Sequence, residues 1–446
     1  MPYGLCLGLR VRFLAGSGAG GQQCLDGGDV GEAPFASSLV EPELHGRRVD
    51  GEQCQLFGRV AGLVGGHGHS VQKGCDRVSP VLFLRLLAAT AGVVLVVAVL
   101  VSALKTVVVP RGYSSWLTRL HFRYMRWLFG LRAGPRRTYD DRDRVLAHYA
   151  PVALVTLPAV WVGLLTLAFT GIFWASGVEP WAEAFATSGS SLFTLGFDRP
   201  PGSGRVALSF IEAGLGLGMV TLMISYLPTI YGAFSRREAL VGMLEVRAGL
   251  PPSPAEMLTR YERIGWLDRL DEDVFERWEQ WFVDVEESHT SHPSLVFFRS
   301  PHPERSWITA AGCVLDTAAI TASLLDLPHD ARTDVMLRSG FFALRRIADY
   351  FGIDYPTDPQ PGDPITVSRR EFDLLCVELR AMDLPLKADR ERAWADFAGW
   401  RVNYDTVLVA LCGLVSAPPG VWSSDRVVPE RAPKAFKNPM RHRKRV

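Results

Sequence analysis

Glu179-Pro-Trp-Ala-Glu-Ala-Phe-Ala-Thr-Ser-Gly-Ser-Ser-Leu-Phe-Thr-Leu-Gly-Phe-Asp198 is a short helix-forming run that ends in a strip of different character. Pro180 suits the first turn of a helix, and Trp181, Ala184, Phe185 and Ser188 recur at three- and four-residue spacing, which puts them on one helical face. The pattern stops at Thr194-Leu195-Gly196-Phe197-Asp198. What such a run means depends on its flanks.

The flanks are uncharged and apolar. Between Arg85 and Lys105 lie 19 uncharged residues, Leu86 to Leu104; between His148 and Glu179 lie 30, Tyr149 to Val178; between Glu212 and Arg236 lie 23, Ala213 to Ser235. A bilayer crossing takes about 20 mainly apolar residues, so each run qualifies as a membrane span. The overall composition hides this: 446 residues, 48% hydrophobic, and 48 Lys+Arg against 47 Asp+Glu read as an ordinary soluble chain.

Cutting the chain at these runs removes the apparent neutrality. Residues 105–147 hold 10 basic and 3 acidic side chains. A short +7 loop between two spans is expected on the cytoplasmic side, which orients the rest. The strip at 194–198 then lies toward the outer face, the C-terminus is cytoplasmic, and the chain is a multi-pass protein of the cell membrane. Within the loop, Trp116, Leu117, Leu120, Tyr124, Trp127, Leu128 and Leu131 share a helical face beside Arg119, Arg123 and Arg126, as expected of a helix lying in the headgroup layer or packed on a cytoplasmic domain.

A span, a short helix, a Thr-apolar-Gly-aromatic strip and a second span resemble the pore module of the potassium channel superfamily, in which the strip reads Thr-Val-Gly-Tyr-Gly. The resemblance covers roughly residues 150–236. It implies that Thr194, Leu195, Gly196, Phe197 and Asp198 form an ion filter, in which rings of backbone carbonyls replace the hydration shell of the ion. It also implies a homotetramer with fourfold symmetry, because one strip is a quarter of a ring. Potassium would be the conducted ion, with no cofactor. Asp198 stands at the place of the family's second Gly, or follows a missing one, and Phe197 lacks the Tyr hydroxyl. The resemblance therefore leaves the potassium-to-sodium ratio open.

The third span would line the inner cavity. Its Gly214, Gly216 and Gly218 fit either the bending point of a gate or close helix packing. Glu212, at the outer end of that span, is costly to bury; it is expected to pair with Arg205, to sit behind the filter, or to snorkel to the interface.

The expected fold is an all-α membrane protein: three transmembrane helices, a re-entrant pore loop between the second and third, and an all-α cytoplasmic domain. Its parts are a disordered or wrongly included leader (1–79) with translation starting near Val78, a first span (80–109), a basic interfacial segment (110–148), a pore domain (149–236), a helical domain (237–425) and a basic tail (426–446). The tail holds eight basic residues against Glu430 and is expected either to be solvated or to meet anionic lipid. Capping boxes are expected at Ser253 with Glu256 and Ser368 with Glu371. Helical stretches are expected over 305–326, 330–352, 368–383 and 388–416.

Asp316, in the middle of the apolar run from Ile308 to Leu325, marks a buried soluble helix in preference to a fourth span. His289, His292 and His302 lack a firm zinc-ligand spacing, and Cys313, Cys376 and Cys412 read as core residues. No catalytic constellation is present, so no enzyme is expected; the lack of a Gly-rich phosphate loop or dinucleotide fingerprint weakens a ligand-gating domain of the Rossmann type, and no nucleic-acid partner is expected. The alternative to a channel is a non-conducting membrane sensor or scaffold acting through its helical domain.

Overall fold

The computed structural model describes residues 78–109, 115–134 and 137–426. The expectations for the leader (1–77), its four cysteines and the tail beyond Arg426 lie outside them.

The described chain is helical, with no strand and a single isolated bridge between Leu325 and Leu386. The first half holds α1 (Val78–Val107), α2 (Trp116–Arg132), α3 (Tyr139–Ala147), α4 (Tyr149–Ala175), α5 (Trp181–Leu192) and α6 (Ser203–Ala248). The second half holds α7 (Pro254–Arg263), α8 (Glu276–Ser291), α9 (Trp307–Leu324), α10 (Ala331–Phe351), α11 (Arg369–Ala381), α12 (Arg390–Arg401) and α13 (Asp405–Val415).

Four helical segments are long and apolar enough to cross a membrane: α1, α4 (continuous with α3), α6 and α9. They differ in what covers them. The apolar windows of the first three are 22%, 44% and 17% buried within the chain, whereas that of α9 is 94% buried. On α1 the outward face carries Leu82, Phe83, Leu86, Val94, Val97 and Leu104, all about half exposed or more. A helix that is apolar all round and left uncovered by its own chain calls for an apolar surrounding.

Close packing begins with small residues. A Cβ on Gly92 would collide with the Ala168 carbonyl oxygen, and one on Gly171 would touch that of Ala88, so α1 and α4 lie backbone to backbone. Below this contact, Trp161 Nε1 donates to Ser102 Oγ at 3.2 Å, and the hydroxyls of Ser102, Thr106, Ser115 and Thr118 hydrogen-bond one another at the start of α2. Arg85, near the other end of α1, pairs with Glu179.

Helix α6 has 46 residues and so runs about 69 Å, roughly twice the apolar thickness of a bilayer. The expected boundary at 236/237 falls inside it. Just past that point Arg237 is buried: Nη1 donates to the Leu295 carbonyl at 2.8 Å, Nη2 to that of Phe298 at 2.7 Å, and Trp281 Nε1 donates back to the Arg237 carbonyl at 3.0 Å. The long helix is thereby fastened into the helical domain.

That domain packs around α9. Asp316, buried at its middle, pairs with Arg401 of α12 and accepts from Tyr404 Oη at 2.8 Å; Arg401 also binds Asp405 at 2.7 Å. Cys313, Cys376 and Cys412 are free and buried. Two local expectations fail, the unbroken stretch 388–416 and the capping box at Ser253. The stretch 388–416 is two helices, α12 and α13, broken at 402–404, and Arg401 and Asp405 pair with each other across the break. Residues 271–275 form a π turn ahead of α8. The Ser253 side chain makes no cap hydrogen bond, and Glu256 pairs with Arg260 at 2.6 Å instead of reaching back to Ser253; the box at Ser368 and Glu371 is complete in both directions.

Candidate functional site

The quoted run folds as α5 followed by an exposed turn. The helix buries its small residues and leaves its aromatic ones outside. Ala184, Thr187, Ser188 and Ser191 are buried, while Trp181 and Phe185 are half exposed. The cause is the neighbour: a Cβ on Gly216 of α6 would fall well inside contact distance of the Leu192 carbonyl oxygen, and only small side chains allow that approach.

The strip then reverses at the C-terminal end of α5. The N–H of Thr194 donates to the Ser191 carbonyl at 3.0 Å, and the N–H groups of Leu195 and Gly196 both donate to that of Ser190, at 2.9 and 3.4 Å. Thr194 (φ 55°) and Gly196 (φ 71°) take positive φ, with Leu195 between them outside that region. Gly196 meets this need freely, whereas Thr194, being β-branched, is held there by its surroundings. In a trans peptide the carbonyl of one residue opposes the N–H of the next. Three N–H groups drawn to the helix end therefore turn the carbonyls of Phe193, Thr194 and Leu195 away from it. Among the described residues no hydrogen bond reaches the carbonyls of Thr194, Leu195, Gly196 or Phe197.

Asp198 closes the strip from behind. Its carboxylate accepts from Thr187 Oγ1, and its N–H donates to Ser190 Oγ at 3.1 Å. The side chains of Leu195 and Phe197 are exposed, at 63% and 67%.

Glu212 is fully buried. Ser188 Oγ donates to its Oε1 at 2.5 Å, and Oε2 has no partner. This removes two of the three expectations for it. Arg205 binds the Ser176 carbonyl instead, with Nη2 at 2.6 Å, and snorkelling is excluded by the burial. The carboxylate sits behind α5. The three glycines of α6 also separate: Gly216 is the close contact with α5, while a Cβ on Gly214 or Gly218 would meet nothing within 4 Å.

The supporting residues Thr187, Ser188 and Ser190 were not singled out by spacing for these roles. The small, hydroxyl-rich composition of Thr187-Ser-Gly-Ser-Ser191 was their only signal. Among the described residues no three His, Cys, Asp or Glu side chains converge to hold a metal. His289 is instead packed against Arg237, with Nε2 3.1 Å from Nη1, and His292 lies edge-on to Tyr226.

No protein-family model, curated protein or solved structure matches the chain.

Proposed function

We propose that the chain is one subunit of a homotetrameric cation channel, conducting potassium through carbonyls of the strip Thr194 to Asp198. In this reading α1, α4 and α6 are the spans, α5 and the strip re-enter from the outer side, and α9 belongs to a cytoplasmic helical domain that sets assembly or gating. The +7 loop supplies the orientation.

One observation carries the reading. The N–H groups of Thr194, Leu195 and Gly196 are consumed at the end of α5, leaving carbonyls turned away from it that accept no hydrogen bond among the described residues. Buried or exposed to a dry pore, such groups need a partner, and a dehydrated cation is one. Four copies around an axis would make the rings. The exposed Trp181, Phe185, Leu195 and Phe197 would be covered by neighbouring subunits or lipid. Gly214 and Gly218, on an uncovered face of α6, fit the inner cavity better than Gly216 does.

The mass of the purified protein in detergent tests assembly directly. Four chains per particle are expected. A monomer at all detergent concentrations would make the filter untenable and leave the sensor or scaffold as the better account.

A further inference from the structure

A pocket of about 50 Å³ opens where the spans meet the helical domain, lined by the end of α1, the start of α2, the middle of α6, the segment after α8 and the end of α10. Its position follows from helix rise. Lys105 lies 19 residues beyond Leu86 and Tyr226 lies 20 beyond Val206, so each is about 30 Å along its helix from the outer end of the apolar region, one hydrocarbon thickness. Lys105 and Tyr226 are both on the wall.

Its wall is mainly apolar, but its charge is one-sided: Lys105 and Arg119 are its charged residues, beside Tyr226 and Ser294, and no acidic residue takes part. Among the described residues neither Lys105 nor Arg119 has an ion pair or a side-chain hydrogen bond, while nearby Arg126 is engaged by the Leu414 carbonyl at 3.1 Å and the Phe297 ring. Two cations beside one cavity, Lys105 exposed and Arg119 half-buried, with no acidic residue between them, favour an anion there. One water needs about 10–15 Å³ of such space, so the pocket suits a group of phosphate size.

The surface next to the pocket names the carrier of that phosphate. Leu104 and Val108 of the α1 end, and Trp116, Leu120, Tyr124, Trp127 and Leu131 along α2, are exposed and apolar. Acyl chains can lie on that surface while the headgroup enters between the cations. We propose that this pocket binds the phosphate of an anionic phospholipid, joining the lipid to α1, α2, α6 and the helical domain at once. The proposal rests on the membrane placement of α1 and α6 and not on ion conduction.

The full-length protein in detergent, titrated with phosphatidylglycerol or phosphatidylcholine and observed by native mass spectrometry, tests it without recording currents. One phosphatidylglycerol per chain is expected to be retained in preference to phosphatidylcholine. The variant Lys105→Gln/Arg119→Gln should weaken retention about thirtyfold, and Arg123→Gln, outside the pocket, should not. The same spectra report subunit assembly, and a thermal melt reports folding, so loss of the site and loss of the fold are separable. Equal retention of the two lipids, wild-type retention by a folded double variant, or displacement of the lipid by equimolar inorganic phosphate would overturn the proposal.

Discussion

Ser188 and Glu212, on different helices and 24 residues apart, meet at 2.5 Å behind the exposed strip. The contact joins α5 to the long helix α6 and supplies the hydrogen bond of a buried carboxylate whose other oxygen has none. Ser188→Ala removes the donor and should destabilise the protein by about 1–3 kcal/mol, the usual cost of an unsatisfied buried group. A lowered melting temperature in detergent is the readout. Unchanged stability would mean that Glu212 finds another partner.

The glycines of α6 should respond unequally. Gly216→Ala forces α6 off the Leu192 carbonyl, and overpacking of this kind costs about 1–3 kcal/mol. Gly214→Ala and Gly218→Ala meet open space and should gain up to about 1 kcal/mol from helix propensity. Thermal melts of the three variants check the order. Equal effects would contradict the close approach.

In the helical domain, Arg401→Met should cost about 3–5 kcal/mol by stranding Asp316, which is buried and has Tyr404 as its remaining donor. Replacing both partners, Asp316→Leu with Arg401→Met, should recover much of the loss. Denaturant unfolding of the single and double variants measures this. A double variant as unstable as the single one would show that the pair itself is not the source of the cost.

His289 predicts a pH dependence. Burial, and after it the positive charge of Arg237, hold its imidazole well below the usual range, so it stays neutral in the folded chain. Ser288, the Arg237 guanidinium and His292 face it, and burial lowers His292 as well. In the unfolded chain a histidine takes up a proton near pH 6.5, and the folded chain does not. Stability from His289 is therefore complete above about pH 6.5 and falls as pH drops below it, by at most about 1.4 kcal/mol per unit. Unfolding followed from pH 7.5 to 5 should show this slope, and His289→Gln should flatten it. A slope of opposite sign would contradict the buried neutral state.

The membrane-length helices were legible in sequence because uncharged runs are local, and so was the burial of α9, since Asp316 interrupts its apolar run. That Asp316 pairs with Arg401 was not legible, because the two lie 85 positions apart. Which residues of α5 are buried was not legible for a related reason. Aromatic residues at helical spacing ordinarily face a core, but here Gly216 admits only small side chains, and Trp181 and Phe185 are turned outward. The strip was located by its order of residues. The hydroxyls behind it, Thr187, Ser188 and Ser190, became visible only when α5 and α6 were brought together.

The central claim is that the strip at 194–198 conducts. Full-length protein reconstituted into a planar bilayer in potassium chloride, recorded beside Gly196→Trp, tests it most directly. Discrete cation-selective currents that vanish in the variant are predicted. Electrically silent bilayers with verified tetrameric protein, or currents that Gly196→Trp leaves unchanged, would contradict it.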